Sequence, residues 1–501
     1  MRVADSHSNL HTFHYTISKT EPAALPLAGK GSRRYNRWTM DFETRYQETL
    51  DYLYSFIDYS LTRQSRYSPE KFDLDRMYDF MEYLGSPQQT YPTIHVAGTK
   101  GKGSVSAMCE SAMQAAGYRV GLYTSPHLQD YAERIQINRE HISHSDLVEL
   151  VEEIKPFLDS GTKLTTFEIT AALAFTHFAR QGVDAAVIEV GLGGRLDATN
   201  IVLPKVSVIT SISYDHTQFL GETLAEIAGE KAGIIKHGVP VVLAPQKDES
   251  RLVIERIAVE REAPLVQVGK DYMFAALSRS VSSGQSMLVW PASEQKMVDD
   301  YIESGGMDAW EPTRLRIPLL GYHQIENAAT AYAALQVAKA NGIPLNEAHI
   351  RRGFSDVSWV GRFEILQQEP PVVIDSAHNR DSALKLRLAL DDYFPGIPVV
   401  LVFGASEDKD IEGMFAELMP RVRQVIATRS YHPRSMEPEL LLELAHRFGR
   451  SAQVSEKIED AMAEAIKIAG GDALVLVAGS LFVAAGARWT WFNDLDLTQA
   501  K

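Results

Sequence analysis

The stretch IHVAGTKGKGS, residues 94–104, carries the strongest indication of fold in the sequence. A short apolar run over residues 94–97 precedes a loop of glycines and lysines, and a helical pattern over residues 104–116 ends before Gly117. Glycines let the backbone approach a phosphate closely, the N–H groups at a helix start face its oxygens, and Lys102 can reach it. Taken alone, this stretch predicts nucleotide binding.

The loop departs from the strict phosphate-loop pattern G-x-x-x-x-G-K-[ST] at two positions. Val96 stands where the first glycine is expected, and Gly103 stands where Ser or Thr normally supplies a hydroxyl to Mg²⁺. We therefore expect that hydroxyl to come from Ser104 or from another part of the chain.

Strand-like and helical patterns alternate on both sides of this loop. Such alternation predicts an α/β protein with a doubly wound, mostly parallel sheet and a second, smaller α/β domain. Helices are predicted over residues 49–61 and 327–340. Strands are predicted over residues 94–97, 120–123, 185–190, 206–212 and 239–243, and in the second domain over residues 372–374, 399–403, 424–428 and 473–478.

Composition restricts the class of protein. The 501 residues are 45% hydrophobic and 23% charged, as in soluble globular proteins, and the net charge of −15 argues against wrapping nucleic acid or coating an anionic membrane. The single cysteine, Cys109, excludes an internal disulfide and any cysteine-cluster metal site. The longest apolar stretch, residues 473–487, is interrupted and shorter than the ~20 residues of a membrane span. We expect a cytoplasmic monomer without nucleic acid or membrane partners.

Residues 1–39 differ in charge from the rest of the chain. They contain six Lys and Arg residues against Asp5 and Glu21, a net charge of +4 that leaves −19 for the remainder. We interpret residues 1–39 as a disordered extension, or as lying upstream of a true start at Met40, with an organellar transit peptide as a minor alternative. The predicted domains are then residues 40–356 and 357–501, joined near residues 353–361.

Polar side chains follow three of the predicted strands. Ser125, Glu189 and the pair Asp215-His216 each stand at or just past a carboxyl end, and these ends meet at one edge of a parallel sheet. Incomplete, oxygen-rich coordination of this kind suits Mg²⁺, although His is an unusual ligand for it. Lys231 lies on a predicted helix, where a solvated lysine is the ordinary interpretation.

Ten short motifs occur in order between residues 93 and 488. They are IHVAGTKGKGS (94–104), YTSPHL (123–128), TTFE (165–168), EVGLGGRLDATN (189–200), SISYDHTQFLG (211–221), EKAGIIK (230–236), GYHQIENAATA (321–331), GRFEIL (361–366), DSAHN (375–379) and FGASEDKD (403–410). Together they resemble the Mur ligases, specifically their folylpolyglutamate synthase/dihydrofolate synthase branch. Gly103 in the loop and HPRS at residues 432–435 resemble the folate branch rather than the cell-wall ligases.

The resemblance implies a P-loop-type ATPase domain and a Rossmann-like C-terminal ligase domain, and it implies roles for matching residues. The residues expected to bind ATP are Gly101, Lys102, Gly103, Ser104, Asn327, Arg362 and Asp375. Those expected to bind Mg²⁺ are Ser125, Glu189 and His216, so that Ser125 would supply the missing hydroxyl. A positive crevice would include Lys102, Arg362 and Arg434.

Further roles concern the chemical step and the second substrate. Lys231 matches a carbamylated lysine, whose CO₂-derived carbamate would help to hold a second Mg²⁺. Lys102, Lys231 and His378 are the expected catalytic residues, with His378 facing the incoming amino acid or the γ-phosphate. The candidates for substrate contact are Pro126, His127, Phe167, Arg195 and Asp197.

The implied reaction is ATP-dependent joining of L-glutamate to dihydropteroate, to folyl-(poly)glutamate or to both, through an acyl phosphate. The sequence Arg195-Leu196-Asp197 resembles the bifunctional bacterial members. One alternative is a UDP-muramoyl peptide ligase of cell-wall synthesis, for whose extra N-terminal domain residues 40–93 are too few. The other is a non-catalytic nucleotide-binding relative, which would have lost residues such as Lys102 or Glu189; both are present.

Overall fold

The computed structural model describes residues 32–56, 74–161, 163–307, 310–430 and 432–493. The described residues divide into two compact units, one ending at Glu48 and the other beginning at Thr49. The first 31 residues of the predicted extension lie outside the described residues, whereas residues 32–39 belong to helix α1 (Ser32–Tyr54). Disorder was predicted for residues 32–39, but each residue added to an existing helix gains a backbone hydrogen bond at little cost. The helix predicted over residues 49–61 ends at Tyr54, and residues 57–61 lie outside the described residues.

The largest sheet contains the loop that opened the sequence analysis. Its strands are β1 (Thr93–Ala97), β2 (Val120–Tyr123), β3 (Ile135–Ile137), β4 (Glu140–His141), β5 (Ala185–Glu189), β6 (Val206–Ile209), β7 (Val241–Leu243) and β8 (Leu265–Gln267). Their spatial order is β4-β3-β2-β5-β1-β6-β7-β8, and all neighbours are parallel except β2-β3 and β3-β4. The predicted mostly parallel sheet is therefore confirmed.

Strand β1 lies at the point where the chain changes direction across this sheet. The next strand along the chain is β2, on the β5 side of β1, and the chain later crosses to β6 on the other side. Loops that leave the carboxyl ends of β1, β5 and β6 therefore surround one crevice. Such switch points are where open α/β sheets bind ligands.

Both faces of β1 are covered, which explains its continuous apolar pattern. Ile94 and Val96 pack in a buried cluster with residues of the helices on one face, and Ala97 belongs to a second cluster on the other face. All five residues of β1 and all five of β5 are buried.

A three-stranded antiparallel sheet was not predicted from the sequence. It consists of β9 (Tyr272–Ser280), β10 (Gly284–Pro291) and β11 (Thr313–Ile317), in the order β11-β10-β9. No residue of β9 is fully buried, and its apolar residues 272–277 lead directly into the polar residues 278–280; this run was not identified as a strand in the sequence.

The second α/β part contains a six-stranded sheet. Its strands are β12 (Glu364–Gln368), β13 (Pro371–Ile374), β14 (Val399–Phe403), β15 (Val422–Ala427), β16 (Ser451–Val454) and β17 (Leu474–Ala478). The order is β12-β13-β17-β14-β15-β16, and only the β12-β13 pair is antiparallel. A second, mostly parallel sheet was predicted here and is present, while the domain boundary at residues 356/357 stays a prediction.

Helices cover the sheets. In the described residues they are, besides α1, α2 (Leu74–Tyr83), α3 (Lys102–Ala115), α4 (His144–Leu158), α5 (Thr166–Arg180), α6 (Thr217–Leu220), α7 (Leu224–Lys231), α8 (Asp248–Glu260), α9 (Gln295–Glu303), α10 (Tyr322–Ala340), α11 (Glu347–Asp356), α12 (Arg380–Tyr393), α13 (Ile411–Leu418), α14 (Pro438–Arg447), α15 (Ile458–Ala469) and α16 (Leu481–Asn493). Helix α10 starts five residues before the predicted residue 327. Among the described residues we find no helix with the length and apolar character that crossing a membrane requires.

Helices α3 and α11 make a close backbone contact at Gly353. A Cβ atom on Gly353 would lie 2.4 Å from the Cα of Ala112, and the Ser111 hydroxyl donates a hydrogen bond to the Gly353 carbonyl. Because the obstacle is helix backbone, it cannot move aside cheaply.

We predict that Gly353→Ala lowers the free energy of unfolding by about 1–3 kcal/mol, the usual cost of overpacking a core. Gly229→Ala is the matched control, because that helical glycine has 4.0 Å to its nearest neighbour, Val253. Urea unfolding of both variants measures the effect. Equal midpoints for the two variants would contradict the close contact.

A contact between the half-buried Arg139 and the buried Glu110 ties α3 to the turn between β3 and β4. Arg139 donates through Nε to Glu110 Oε2 at 3.2 Å and through Nη1 to the Asp356 carbonyl at 2.9 Å. The Glu110 side chain is fully buried. Burial raises the pKa of Glu110 to about 7, and Arg139 only partly opposes that rise.

This raised pKa predicts a pH-dependent stability. Folded Glu110 holds its proton more tightly than unfolded Glu110, so its contribution to stability is complete below about pH 4.5 and is lost as the pH rises through about 7. We expect the unfolding free energy of the wild type, relative to Glu110→Gln, to fall by about 1–3 kcal/mol between pH 5 and 8. Urea titrations at several pH values measure this difference, and a difference that rises with pH would contradict the assignment.

Candidate active site

The loop between β1 and α3 is tied to the end of β6. The backbone N–H groups of Thr99 and Lys100 both donate to the Ser211 carbonyl, at 2.9 and 3.1 Å. Helix α3 begins at Lys102, so the N–H groups of its first turn, from Lys102 to Ser104, have no carbonyl of the same helix to bond to. The loop therefore presents donors that suit a phosphate.

Gly101 brings a second helix to this loop. It has a φ of 90°, which disfavours any side chain, and a Cβ there would lie 2.3 Å from Asn327 Oδ1 on α10. The positive φ favours glycine here, and the absence of a side chain lets Asn327 lie directly against the phosphate loop.

Two further strand ends contribute side chains to the same cleft. Glu189, at the end of β5, lies with Oε1 3.9 Å from Lys102 Nζ and accepts a hydrogen bond from the Ser125 backbone N–H at 3.3 Å. Burial raises the pKa of Glu189 to about 7, against the opposing effect of Lys102. Ser125, Glu189 and His216 all line one cleft, so the structure brings together the three predicted metal ligands.

Asp215 connects the loops of the two large sheets. Its carboxylate lies 2.9 Å from Lys100 Nζ and 3.2 Å from Lys409 Nζ, and it accepts from Asn379 Nδ2 at 3.2 Å. Burial alone would raise the pKa of Asp215, but Lys100, the nearby ring of His378 and Lys409 hold that pKa well below its usual range. Asp215 is therefore an anion within a positive cluster.

Lys231 is buried, contrary to the ordinary interpretation of a solvated lysine. It ends helix α7, is 4% exposed, and donates from Nζ to the Gly98 carbonyl at 3.0 Å. Burial lowers the pKa of Lys231 to about 7, and Lys102 and Lys100 nearby add to the effect. A large share of this side chain is therefore a neutral amine near pH 7.

Arg362 and Asp375 reach the cleft from the six-stranded sheet. Asp375 follows β13 and accepts from the backbone N–H groups of Phe363 and Ala377, each at 2.7 Å. Arg362 donates to the Gly361 carbonyl at 3.0 Å and to the Ser376 hydroxyl. Burial raises the pKa of Asp375 and lowers that of Arg362.

The protonation of His378 follows from its two hydrogen bonds, since Asp215 Oδ2, at 3.6 Å from Nε2, lies beyond hydrogen-bond distance. Its Nε2 lies 2.8 Å from Lys100 Nζ, which can only donate, and its Nδ1 lies 2.9 Å from the Ser376 carbonyl, which can only accept. Burial and Lys100 lower the pKa of His378 to about 4. The ring is thus neutral, with its proton on Nδ1.

These residues enclose a cleft of about 240 Å³. The basic side chains along it are Lys100, Lys102, Lys231, Arg362 and Lys385, and the acidic ones are Glu189, Asp215, Glu326 and Asp375. A ligand rich in negative oxygens, such as a nucleoside triphosphate, would match this set.

Several predicted substrate residues lie elsewhere. Pro126 lines the cleft, but His127, Phe167, Arg195 and Asp197 are not among the described residues that line it. His127 accepts from Arg134 Nε at 2.9 Å, and Arg195 pairs with Glu230 at 3.2 Å. Arg434, expected in the crevice, instead lies 3.6 Å from Asp408.

Sequence reasoning missed other residues of the cleft. Lys100, His323, Glu326 and Lys385 line it, and the first three stand inside quoted motifs without having been given a role. Lys409, which contacts Asp215, also stands inside a quoted motif and had been given no role. Lys100, His323, Glu326 and Lys409 could have been identified from their positions within the motifs, but none of them could have been identified from its residue type alone.

The donors present are compatible with Mg²⁺ only if a ligand completes the site. Within the described residues no group of three or more His, Cys, Asp or Glu side chains could hold a metal ion. Ser125, Glu189 and His216 offer a hydroxyl, a buried carboxylate and an imidazole, which leaves room for phosphate and water oxygens.

Another cavity, of about 350 Å³, lies between the three-stranded sheet and helices α10 and α11. Its lining includes Tyr272, Glu294, Trp310, Tyr332 and Glu347, and no described Lys, Arg or His lines it. A polyanion would find no cation there, so the cleft at the phosphate loop is the better candidate.

Comparison with known families matches most of the chain. Residues 96–335 match the Mur ligase middle domain, and residues 361–481 match the Mur ligase, glutamate ligase domain. A protein of Halobacterium salinarum named "Probable bifunctional folylpolyglutamate synthase/dihydropteroate synthase" is 36% identical over 465 residues, covering 90% of this chain and 53% of that protein. The chain therefore spans about half the length of this relative.

Two other proteins match over nearly their full length. A dihydrofolate synthase/folylpolyglutamate synthase of Bacillus subtilis is 33% identical over 452 residues, covering 89% of this chain and 99% of that protein. The solved structure of Mycobacterium tuberculosis folylpolyglutamate synthase complexed with ADP matches with a TM-score of 0.78 and 32% identity, over 90% of this chain and 99% of that one.

Proposed function

The chain belongs to the Mur ligases, in their folylpolyglutamate and dihydrofolate synthase branch, and from this premise we propose that it joins L-glutamate to dihydropteroate, to folyl-(poly)glutamate or to both, using ATP. One observation carries the proposal. The phosphate loop and the loops of the six-stranded sheet, with Arg362, Asp375 and His378, meet in a single cleft. ATP and an amino acid could therefore lie side by side.

The proposed reaction has two steps. A carboxylate oxygen of the pterin substrate attacks the γ-phosphorus of ATP, and the bond to the bridging oxygen breaks to release ADP. The glutamate nitrogen then attacks the acyl carbon, the bond to phosphate breaks, and the amine loses a proton. The chain contributes positioning and positive charge, chiefly from Lys102 and the N–H groups that begin α3.

The residues proposed to bind the nucleotide are placed consistently with that role. Lys102 lies in the cleft beside Glu189, Asn327 touches the phosphate loop at Gly101, and Arg362 also lines the cleft. Loops of both sheets line the cleft and would exclude water from it. Water would otherwise hydrolyse an acyl phosphate.

Ser125, Glu189 and His216 are proposed to hold Mg²⁺ together with ATP. The metal would neutralise charge on the phosphates. Burial raises the pKa of Glu189. The positive charge of Mg²⁺ beside Glu189 would oppose this effect and favour the ionised carboxylate.

Lys231 is proposed to carry a carbamate. Its lowered pKa leaves a neutral nitrogen free to attack CO₂, which forms an N–C bond and releases one proton. The resulting anion would face Lys102 and Lys100, the same cations that disfavour the charged amine. A cytoplasmic location, a monomeric state and the substrate contacts of His127, Phe167, Arg195 and Asp197 stay predictions.

We predict that Lys102→Ala lowers ADP formation by at least about 10³-fold while leaving the thermal unfolding midpoint unchanged, because it removes charge at the phosphates and no core packing. Lys205→Ala, at an exposed lysine before β6, is the control and should keep wild-type activity. ADP formation by Lys102→Ala at the wild-type rate would show that the loop has been misassigned.

The choice of substrate is tested by phosphate release with ATP and L-glutamate. We expect stimulation by dihydropteroate, by tetrahydrofolate or by both, with a product heavier by one glutamate residue in the mass spectrum. Stimulation by both would establish bifunctionality. Stimulation by a UDP-muramoyl peptide alone, or by neither pterin, would overturn the proposal.

A further inference from the structure

A buried histidine in the central strand has no role in the proposed reaction. His95 is fully buried in β1, between Ile188 of β5 and Ser207 of β6. Its Nε2 lies 2.9 Å from the hydroxyl of Thr199, a residue that is also fully buried. Its Nδ1 has no hydrogen-bond partner among the described residues.

The direction of the hydrogen bond between His95 and Thr199 can be derived. The Thr199 hydroxyl donates its only proton to Asp197 Oδ1, so it must accept from His95. Burial, with a contribution from Lys236, lowers the pKa of His95 to about 3 and keeps the ring neutral. The single ring proton is therefore on Nε2.

Asp197 connects this chain of hydrogen bonds to the backbone of a loop that lines the cleft. Its Oδ2 accepts from the backbone N–H groups of Gly191 and Leu192, at 3.0 and 2.9 Å. Gly191, Leu192 and Gly193 line the cleft. Among the described residues, the Asp197 carboxylate forms hydrogen bonds only with its own loop, at Gly191, Leu192 and Thr199.

The same loop packs against the end of α7, where Lys231 lies. The Arg195 N–H donates to the Glu230 carbonyl at 2.9 Å, and a Cβ on Gly194 would lie 2.8 Å from the Lys231 carbonyl. A shift of the loop must therefore move the end of α7. Lys231 in turn contacts Gly98, which follows β1 directly.

We infer that His95, Thr199 and Asp197 form a positioning chain that fixes the glycine loop, residues 191–195, and through it Lys231, relative to the phosphate loop. None of the three is a catalytic residue, since they act through the loop backbone. The inference rests on the proposed function for its kinetic consequence only. Its structural consequence is measurable without turnover.

The test compares Thr199→Val, which keeps the shape but removes the hydroxyl, with Thr199→Ser, which keeps the hydroxyl. We expect Thr199→Val to lower kcat about 10- to 100-fold with a much smaller change in the KM for ATP, because the phosphate loop is held separately by Ser211. Thr199→Ser should restore most of kcat. Thr176→Val is the control, since within the described part of the chain that buried hydroxyl bonds only to the Ala172 carbonyl of α5.

Hydrogen exchange of the Gly191 and Leu192 amides gives a readout independent of activity. It should be faster in Thr199→Val than in wild type, Thr199→Ser or Thr176→Val. Should Thr199→Val not fold, His95→Leu and His95→Gln replace it, because Gln retains a donor; faster exchange in the Leu variant alone supports the chain. Equal exchange and equal kcat in the compared variants would overturn the inference. Absence of ligation by the wild type would contradict the proposed function, while the exchange result would still decide this inference.

Discussion

The candidate site depends on the balance of buried charge around the phosphate loop. Lys100, Lys102 and Lys231 are held close together in a cleft where solvation is poor, and burial lowers the pKa of Lys100 to about 8 and of Lys231 to about 7. Asp215 offsets part of this charge by contacts with Lys100 and Lys409. An unpaired buried charge is costly, so a polyanionic ligand would relieve a cost that the folded chain already bears.

This balance reconciles an acidic protein with anionic substrates. The net charge of −15 describes mainly the exposed surface, whereas the cleft collects basic side chains from both sheets. Asp215 also has a geometric effect. Because it accepts from Asn379 and Lys409, the loops after β13 and β14 are held over the end of β6. The contacts of Asp215 therefore both neutralise part of the positive charge and hold loops of the six-stranded sheet at the cleft.

Much of the fold and part of the site could be predicted from the sequence. The parallel strands were recognisable because both of their faces are buried and their apolar runs are continuous, as in β1 and β5. Strand β9 also has an apolar run, residues 272–277, but none of its residues is fully buried and its sheet was missed. Residue type predicted Lys102 and Glu189 correctly as cleft residues, but not the burial of Lys231, which depends on how α7 packs against the phosphate loop. A carboxylate after a glycine turn can also bind its own backbone, as Asp197 does, so its contact with substrate stays a prediction.

The central strand unites these features. Its carboxyl end leads into the phosphate loop, while its middle carries His95, which reaches the loop after β5 through Thr199. Buried polar groups of this kind need a partner, and each partner found here belongs to a segment that borders the cleft. A sheet alone sets the spacing of its strands, but it does not fix the loops that leave them. Directed hydrogen bonds from inside the sheet supply that second constraint. The position of β1 therefore helps to determine the positions of both the phosphate loop and the glycine loop, residues 191–195.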